Sequence, residues 1–353
     1  MSDELFREGG PHGIRRTGRH QYEMSIALPQ DDRGMVGRGC AREGCSPAFF
    51  KVKPGTGITG EQVIAYCPYC RNDGHPTDFH TKAQQDYARR VVENEAVEAV
   101  QRMLGDALGL GPSGRKKLGG GMFSIEMSLQ RAPRRHVSRP LEEELRRDIR
   151  CATCGLEHAV FGLAFWCPDC GTDLFLDHVH EELEVTRRIL DAVDDRRAAL
   201  GARVAARDVE NALEDTVSLF ETVLKIVTRR VLQARGQTEE QVDDTFRRHV
   251  RNTYQSVGSA AATFHAQVAL ELFAEIDESR RATLASVFEK RHPITHNLGV
   301  VDRNYLRRAQ SGELEGREVR VTTEEVREAV DIAEAVLRSA YTRTAPPGAS
   351  DHS

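Results

Sequence analysis

The chain is 353 residues long, carries a formal net charge of −5, and is 39% hydrophobic and 29% charged with a single Trp. That length suits about two domains. No run of 18 or more apolar residues offers a transmembrane helix, and the polar, mixed-charge start fits no secretory leader, so a cytoplasmic protein is expected. The charge is uneven: residues 1–150 hold 24 Lys and Arg against 20 Asp and Glu, and residues 151–353 hold 25 against 34. A basic front half is compatible with nucleic-acid contact, although a solvated mixed surface accounts for so small a surplus more simply.

In chain order, residues 1–21 are rich in Gly, Arg and His without periodicity and read as a disordered tail. A first cysteine module, 22–132, opens on a predicted strand at 22–29, with further β segments at 49–53 and 63–66. A helix over about 81–108 follows from Tyr87, Val91, Val92, Ala96, Val97, Val100 and Leu104. Residues 109–121 (GLGPSGRKKLGGG) then break the pattern. Gly109 and Gly114 have the gap of a phosphate-binding loop, but Arg115-Lys116-Lys117 stands where Lys and then Ser or Thr is required. A flexible basic linker is therefore expected. Residues 123–129 alternate apolar and polar side chains as a half-buried strand, with the strand at 22–29 as a candidate partner.

The arginine-rich run 131–150 leads into a second cysteine module, 133–200, where residues 159–166 form an apolar run suited to a buried strand pair. From Asp173 the chain reads as helical: 175–200, 208–234, 241–257, an Ala-rich stretch to Ile276, and a helix opened by Asp277 or Ser279. A last helix to about Tyr341 starts at the capping box Thr322-Thr-Glu-Glu325. Val209, Leu213, Val217, Phe220, Val223, Leu224 and Val227 give the second of these helices a wide bundle-forming stripe. Residues 201–345 form the helical domain and 346–353 a tail.

All eight cysteines fall into close pairs: Cys40 with Cys45, Cys67 with Cys70, Cys151 with Cys154, and Cys167 with Cys170. Twenty-one residues separate the first two pairs and twelve the last two. Tight turns joined by a hairpin's length of chain are what a tetrahedral thiolate site needs. Structural disulfides would require an oxidising compartment, and a thioredoxin-like redox pair would not explain four pairs. Two closed zinc ribbons, each holding one structural Zn²⁺, are expected. His178 and His180, just beyond the second, read as helix surface.

Residues 288–305 concentrate Arg291, His292, His296 and Asn297 before the helix-stopping Gly299. Imidazole exchanges a proton near neutral pH, and a guanidinium grips phosphate through its planar fork. Together these groups can cleave RNA: a histidine activates the ribose 2′-hydroxyl and an arginine stabilises the phosphate. Arg291-His292-Pro-Ile-Thr-His296 resembles the Arg-polar-x-x-x-His signature of the HEPN superfamily, over roughly residues 205–342. The resemblance implies an all-α bundle with the motif near a helix end. It also implies a metal-independent endoribonuclease working as a homodimer, with stress or phage-defence toxins among its kind and an antitoxin or other protein as partner. By the same resemblance Arg291 and His296 are the catalytic positions, His292 orients the site, and Asn297 joins the set.

Other readings of these residues stay open. His292 and His296, at i and i+4, have a metal-binding spacing, and Arg291 can simply cap carbonyls. Pro293 removes a helical hydrogen bond, and a kink there could bring Arg291 and His296 together or end the helix early. The expectation is a mainly α protein with small β modules, two zinc ribbons in front and a HEPN-like bundle behind. The rival function is a non-catalytic adaptor that binds nucleic acid or protein through its ribbons and dimerises through its helices.

Overall fold

The computed structural model of the protein describes residues 6, 8–19, 21–60, 62–110, 115–118, 125–129, 147–309 and 313–344. The tail at 346–353 and the arginine-rich run at 131–146 lie outside these residues. The chain divides into two compact units, Met1–Asp173 and Leu174–Ser353. This boundary differs from the expected one at 200. The apolar stripe of the helix after Asp173 (Phe175, Val179, Leu183 and Leu190) is buried against the helical bundle, which makes that helix part of the bundle.

In the first unit, strands β1 (Arg15–Gly18) and β2 (Gln21–Glu23) form an antiparallel hairpin. The expected tail therefore carries structure, and the expected strand at 22–29 ends at Glu23. Strands this short show no two-residue period in sequence, and Ile14 is the buried anchor beside them. Strands β3 (Val36–Gly39) and β4 (Phe49–Val52) continue the chain, followed by the short β5 (Ala65–Tyr66) and β6 (Asp73–Gly74). Helix α1 (Lys82–Ala107) then starts on a capping box in which Thr81 Oγ1 accepts from Gln84 N. Within the expected linker, β7 (Arg115–Leu118) pairs with β8 (Ile125–Ser128), which takes the place of the pairing expected with 22–29.

Strands β9 (Arg147–Arg150) and β10 (Glu157–Val160) complete a four-stranded antiparallel sheet in the order β3-β4-β10-β9. Its centre is the pairing of β4 with β10, where Lys51 faces Ala159 and Phe50 faces Val160. The two cysteine groups, read as separate modules, thus share one sheet. Phe50, Cys67, Phe79, Ile149, Val160 and Ala164 form the core beneath it. Lys51 is only 2% exposed, and its ammonium donates to Asp31 Oδ2 at 3.0 Å, so the buried charge is compensated.

The second unit is a bundle around α4 (Ala202–Ala234), whose buried stripe includes Val209, Leu213, Val217, Phe220, Val223, Leu224 and Val227. Helices α2 (Phe175–Asp191), α3 (Val193–Leu200), α7 (Glu278–His296) and α9 (Thr323–Thr344) pack on it. Phe220 meets Phe288 of α7 edge to face at 5.4 Å. The expected helix 175–200 breaks at Ala192. The expected helix 241–257 is likewise divided into α5 (Glu239–Thr245), a π turn (Phe246–Val250) and a 3₁₀ turn (Thr253–Gln255). Helix α6 (Val257–Val268) follows, and α8 (Arg303–Ala309) bridges the stretch between α7 and α9. Asp277 caps α7 by accepting from Arg280 N at 2.8 Å, and Thr322 caps α9 through the expected box with Glu325. Among the described residues no helix is long and apolar enough to cross a membrane.

Candidate functional site

The cysteines gather as their spacing implies. Cys40, Cys45, Cys67 and Cys70 form one cluster and Cys151, Cys154, Cys167 and Cys170 the other, with sulfurs within 4.8 Å of one another in each. Three of the four turns are built alike. In Cys67-Pro-Tyr-Cys70, Cys151-Ala-Thr-Cys154 and Cys167-Pro-Asp-Cys170, the first cysteine's carbonyl accepts from the amide four residues on. That fourth residue is left-handed in every case: Arg71 at φ +58°, Gly155 at +76° and Gly171 at +68°. Cys40 and Cys45, with a longer spacer, turn differently through Gly44 at φ +78°.

The donor set suits a zinc-sized ion. Sulfur separations are 3.7 Å for Cys40–Cys70 and Cys45–Cys67, 3.8 Å for Cys151–Cys170 and 3.6 Å for Cys154–Cys167. Four sulfurs about 2.3 Å from a central Zn²⁺ stand about 3.8 Å apart, whereas a disulfide requires about 2.05 Å. Burial pushes the Cys67 and Cys167 thiols well up, and pushes Cys45 and Cys154 up to about 12. A divalent cation at the centre reverses that cost by stabilising the thiolates. The clusters are also tied to each other. Tyr66 N donates to Pro168 O at 2.7 Å, and Phe165 N returns a bond to Pro68 O at 2.7 Å, so each Cys-Pro turn accepts from the chain entering the other.

In the helical unit, a cleft of about 240 Å³ is lined by Arg291, His292 and His296 of α7 together with Asn252, Gln255, Ser256, Ser259 and Arg308. Helix α7 runs unbroken through Pro293 to His296, and its end still delivers Arg291 and His296 to the same cleft. The His292 and His296 rings stand 5.2 Å apart. Arg291 is half-buried; its Nη1 donates to Gln255 Oε1 at 3.3 Å, and its buried Nε has no hydrogen-bond partner among the described residues. Among the described residues, Glu289 is the one carboxylate on the lining, against two arginines and two histidines. Such a surface favours an anion.

Asn297 lies outside this lining: its Nδ2 donates to Val300 O at 2.7 Å, and Gly299 N bonds back to Pro293 O at 2.8 Å, which closes the helix end. Among the described residues, His292 and His296 belong to no group of three or more metal-ligating side chains. His178, expected on the surface, is 1% exposed, and His180 bonds Glu334 Oε1 at 2.7 Å.

Sequence reasoning missed Asn252, Gln255, Ser256, Ser259 and Arg308. The first three sit where the chain leaves helical geometry after the π turn, at Arg251 with φ +38°. Nothing in a local period marks that break, although Ser256, which precedes α6, is an N-cap residue type. The chain matches no protein-family model, no curated protein and no solved structure, so its clusters and its cleft stand on their own geometry.

Proposed function

We propose that this chain is a metal-independent endoribonuclease of HEPN type whose two cysteine clusters hold structural zinc. The observation that carries the reading is the meeting of Arg291, His292 and His296 in one cationic cleft. His296 takes the proton of the ribose 2′-hydroxyl, the 2′-oxygen bonds to the adjacent phosphorus, and the bond from phosphorus to the 5′-oxygen breaks. The departing 5′-oxygen takes up a proton, leaving a 2′,3′-cyclic phosphate and a 5′-hydroxyl. Arg291 stabilises charge on the phosphate oxygens, and His292 orients the site. Two copies facing across a twofold axis complete it, so the active species is a homodimer acting on RNA in stress or phage defence. Zinc closed by four thiolates supplies folding energy and activates no water.

The purified protein is expected to cut single-stranded RNA during brief exposure to EDTA and to run as a dimer in light scattering. His296→Ala should abolish cleavage, and Arg291→Ala should lower kcat by about a hundredfold or more. A 2′-deoxy residue at the cut position should block it. Activity that needs added Mg²⁺, or that survives both substitutions, overturns the chemistry. RNA binding without cleavage by the unaltered protein favours the adaptor reading instead.

A further inference from the structure

Gln255 stands between Arg291 and the central helix. Its Nε2 donates to Glu221 Oε2 at 2.8 Å, and its Oε1 accepts from Arg291 Nη1 at 3.3 Å. Only one orientation of the amide serves both partners, because an ionised carboxylate has no donor and a guanidinium no acceptor. The other oxygen of Glu221 accepts from Lys225 Nζ at 2.6 Å, one turn along α4. A line of polar contacts therefore runs from Lys225 and Glu221 on α4 through Gln255 to Arg291 at the cleft.

The segment that carries Gln255 is held from several sides. Thr253 Oγ1 donates to Val250 O at 2.7 Å, the buried Tyr254 hydroxyl meets Thr228 Oγ1 at 2.6 Å, and Ser259 Oγ donates back to Thr253 O. Immediately before it, Arg251 sits at φ +38° and ψ −117°. A non-glycine residue there is strained and persists only where its surroundings over-determine the backbone. The bond to Gln255 is the one hydrogen bond of the Arg291 side chain among the described residues, and the Nε is buried without a partner.

The choice of an amide has a physical consequence. A carboxylate at position 255 would hold the guanidinium equally well but would cancel its charge and repel a phosphate. A neutral amide aligns Arg291 and leaves its charge available. The anion behind it, Glu221, is offset by Lys225.

We propose that Gln255 is a positioning residue that sets the plane of the Arg291 guanidinium, so that its remaining donors meet a phosphodiester of single-stranded RNA as a fork. This rests on the RNA reading of the cleft given above.

The test is a binding cycle in a His296→Ala background, which leaves RNA uncut. The affinity for one single-stranded RNA oligonucleotide is measured for that parent and with Gln255→Leu, Arg291→Ala, or both added. Gln255→Leu is expected to weaken binding about tenfold, as loss of a hydrogen bond to a charged group does. The double substitution should bind no more weakly than Arg291→Ala alone, because both remove the same interaction. Glu221→Ala, outside the cleft lining, should weaken binding in the same direction and takes the place of Gln255→Leu in the cycle if that variant does not fold. Unchanged affinity in folded Gln255→Leu protein, or a loss that adds in full to that of Arg291→Ala, overturns the positioning role while the RNA reading stands. A parent that binds no RNA overturns the RNA reading, and this proposal with it.

Discussion

Arg71 occupies the left-handed position that two other cysteine turns give to glycine, at φ +58° against +76° for Gly155 and +68° for Gly171. An L-residue pays about 1 kcal/mol or more for that conformation. Its compensation is visible: the guanidinium lies over the Trp166 ring at 4.5 Å, a contact worth about 0.5–1 kcal/mol. The two effects nearly cancel, which predicts an ordered outcome. Arg71→Gly relieves the backbone and loses the ring, and should leave stability within about 0.5 kcal/mol of the parent. Arg71→Ala loses the ring and keeps the strain, and should fall about 1 kcal/mol below the glycine variant. Denaturant midpoints of the two metal-loaded variants check this, and equal midpoints would remove the left-handed strain from the account.

At the scale of elements, α7 is joined to the start of α9 by one buried cation. Lys290, 8% exposed, donates to Arg320 O and to Glu325 Oε1, each at 2.7 Å. Glu325 is also the carboxylate of the α9 capping box, accepting from Thr322 N at 2.9 Å. Burial works against its ionisation, but the bonds from Lys290 and Thr322 outweigh it and hold the carboxyl below the usual carboxylate range. Because the folded pKa is the lower one, this stability is fully present above the unfolded value near 4.3 and is lost as pH falls through the folded value. Glu325→Gln should lower stability at pH 7 by about 1–2 kcal/mol. It should also flatten the fall in Tm below about pH 4.5 relative to the parent, and parallel Tm profiles for the two proteins would count against the linkage. Pro293 is buried in the same α7, and its carbonyl accepts from Asn297 N at 3.0 Å and Gly299 N at 2.8 Å where the helix closes.

On the scale of the whole molecule, the reciprocal bonds between the Cys67–Cys70 and Cys167–Cys170 turns mean that the two clusters do not stand as independent modules. Two zinc ions per chain are expected by elemental analysis. Cys167→Ser should do more than empty its own site, because loosening Pro168 and Phe165 removes partners of Tyr66 and Pro68 at the other. The remaining zinc should therefore leave to a chelating dye roughly tenfold or more faster than from the intact protein, corresponding to about 1.4 kcal/mol or more of coupling. An unchanged release rate would show the clusters to be uncoupled despite their shared sheet.

What the sequence by itself determined are the features that short-range geometry dictates. Cysteine spacing selects the turns and gathers the two four-sulfur clusters, the box at Thr322 starts α9, Asp277 or Ser279 opens α7, and the stripe from Val209 to Val227 sends α4 into a bundle. The position of the Arg291–His296 motif at the end of a helix was legible for the same reason. Tertiary structure decided what depends on residues far apart in the chain. The pairing of β4 with β10 merges the two cysteine groups into one unit, because strands of four residues carry too little pattern to choose a partner about a hundred positions away. The break after the π turn, which turns Gln255 towards Arg291, is set by Tyr254 reaching Thr228 and Gln255 reaching Glu221 on α4. A helical period along 241–257 cannot reveal it, since the bonds that replace the helix's own come from another helix.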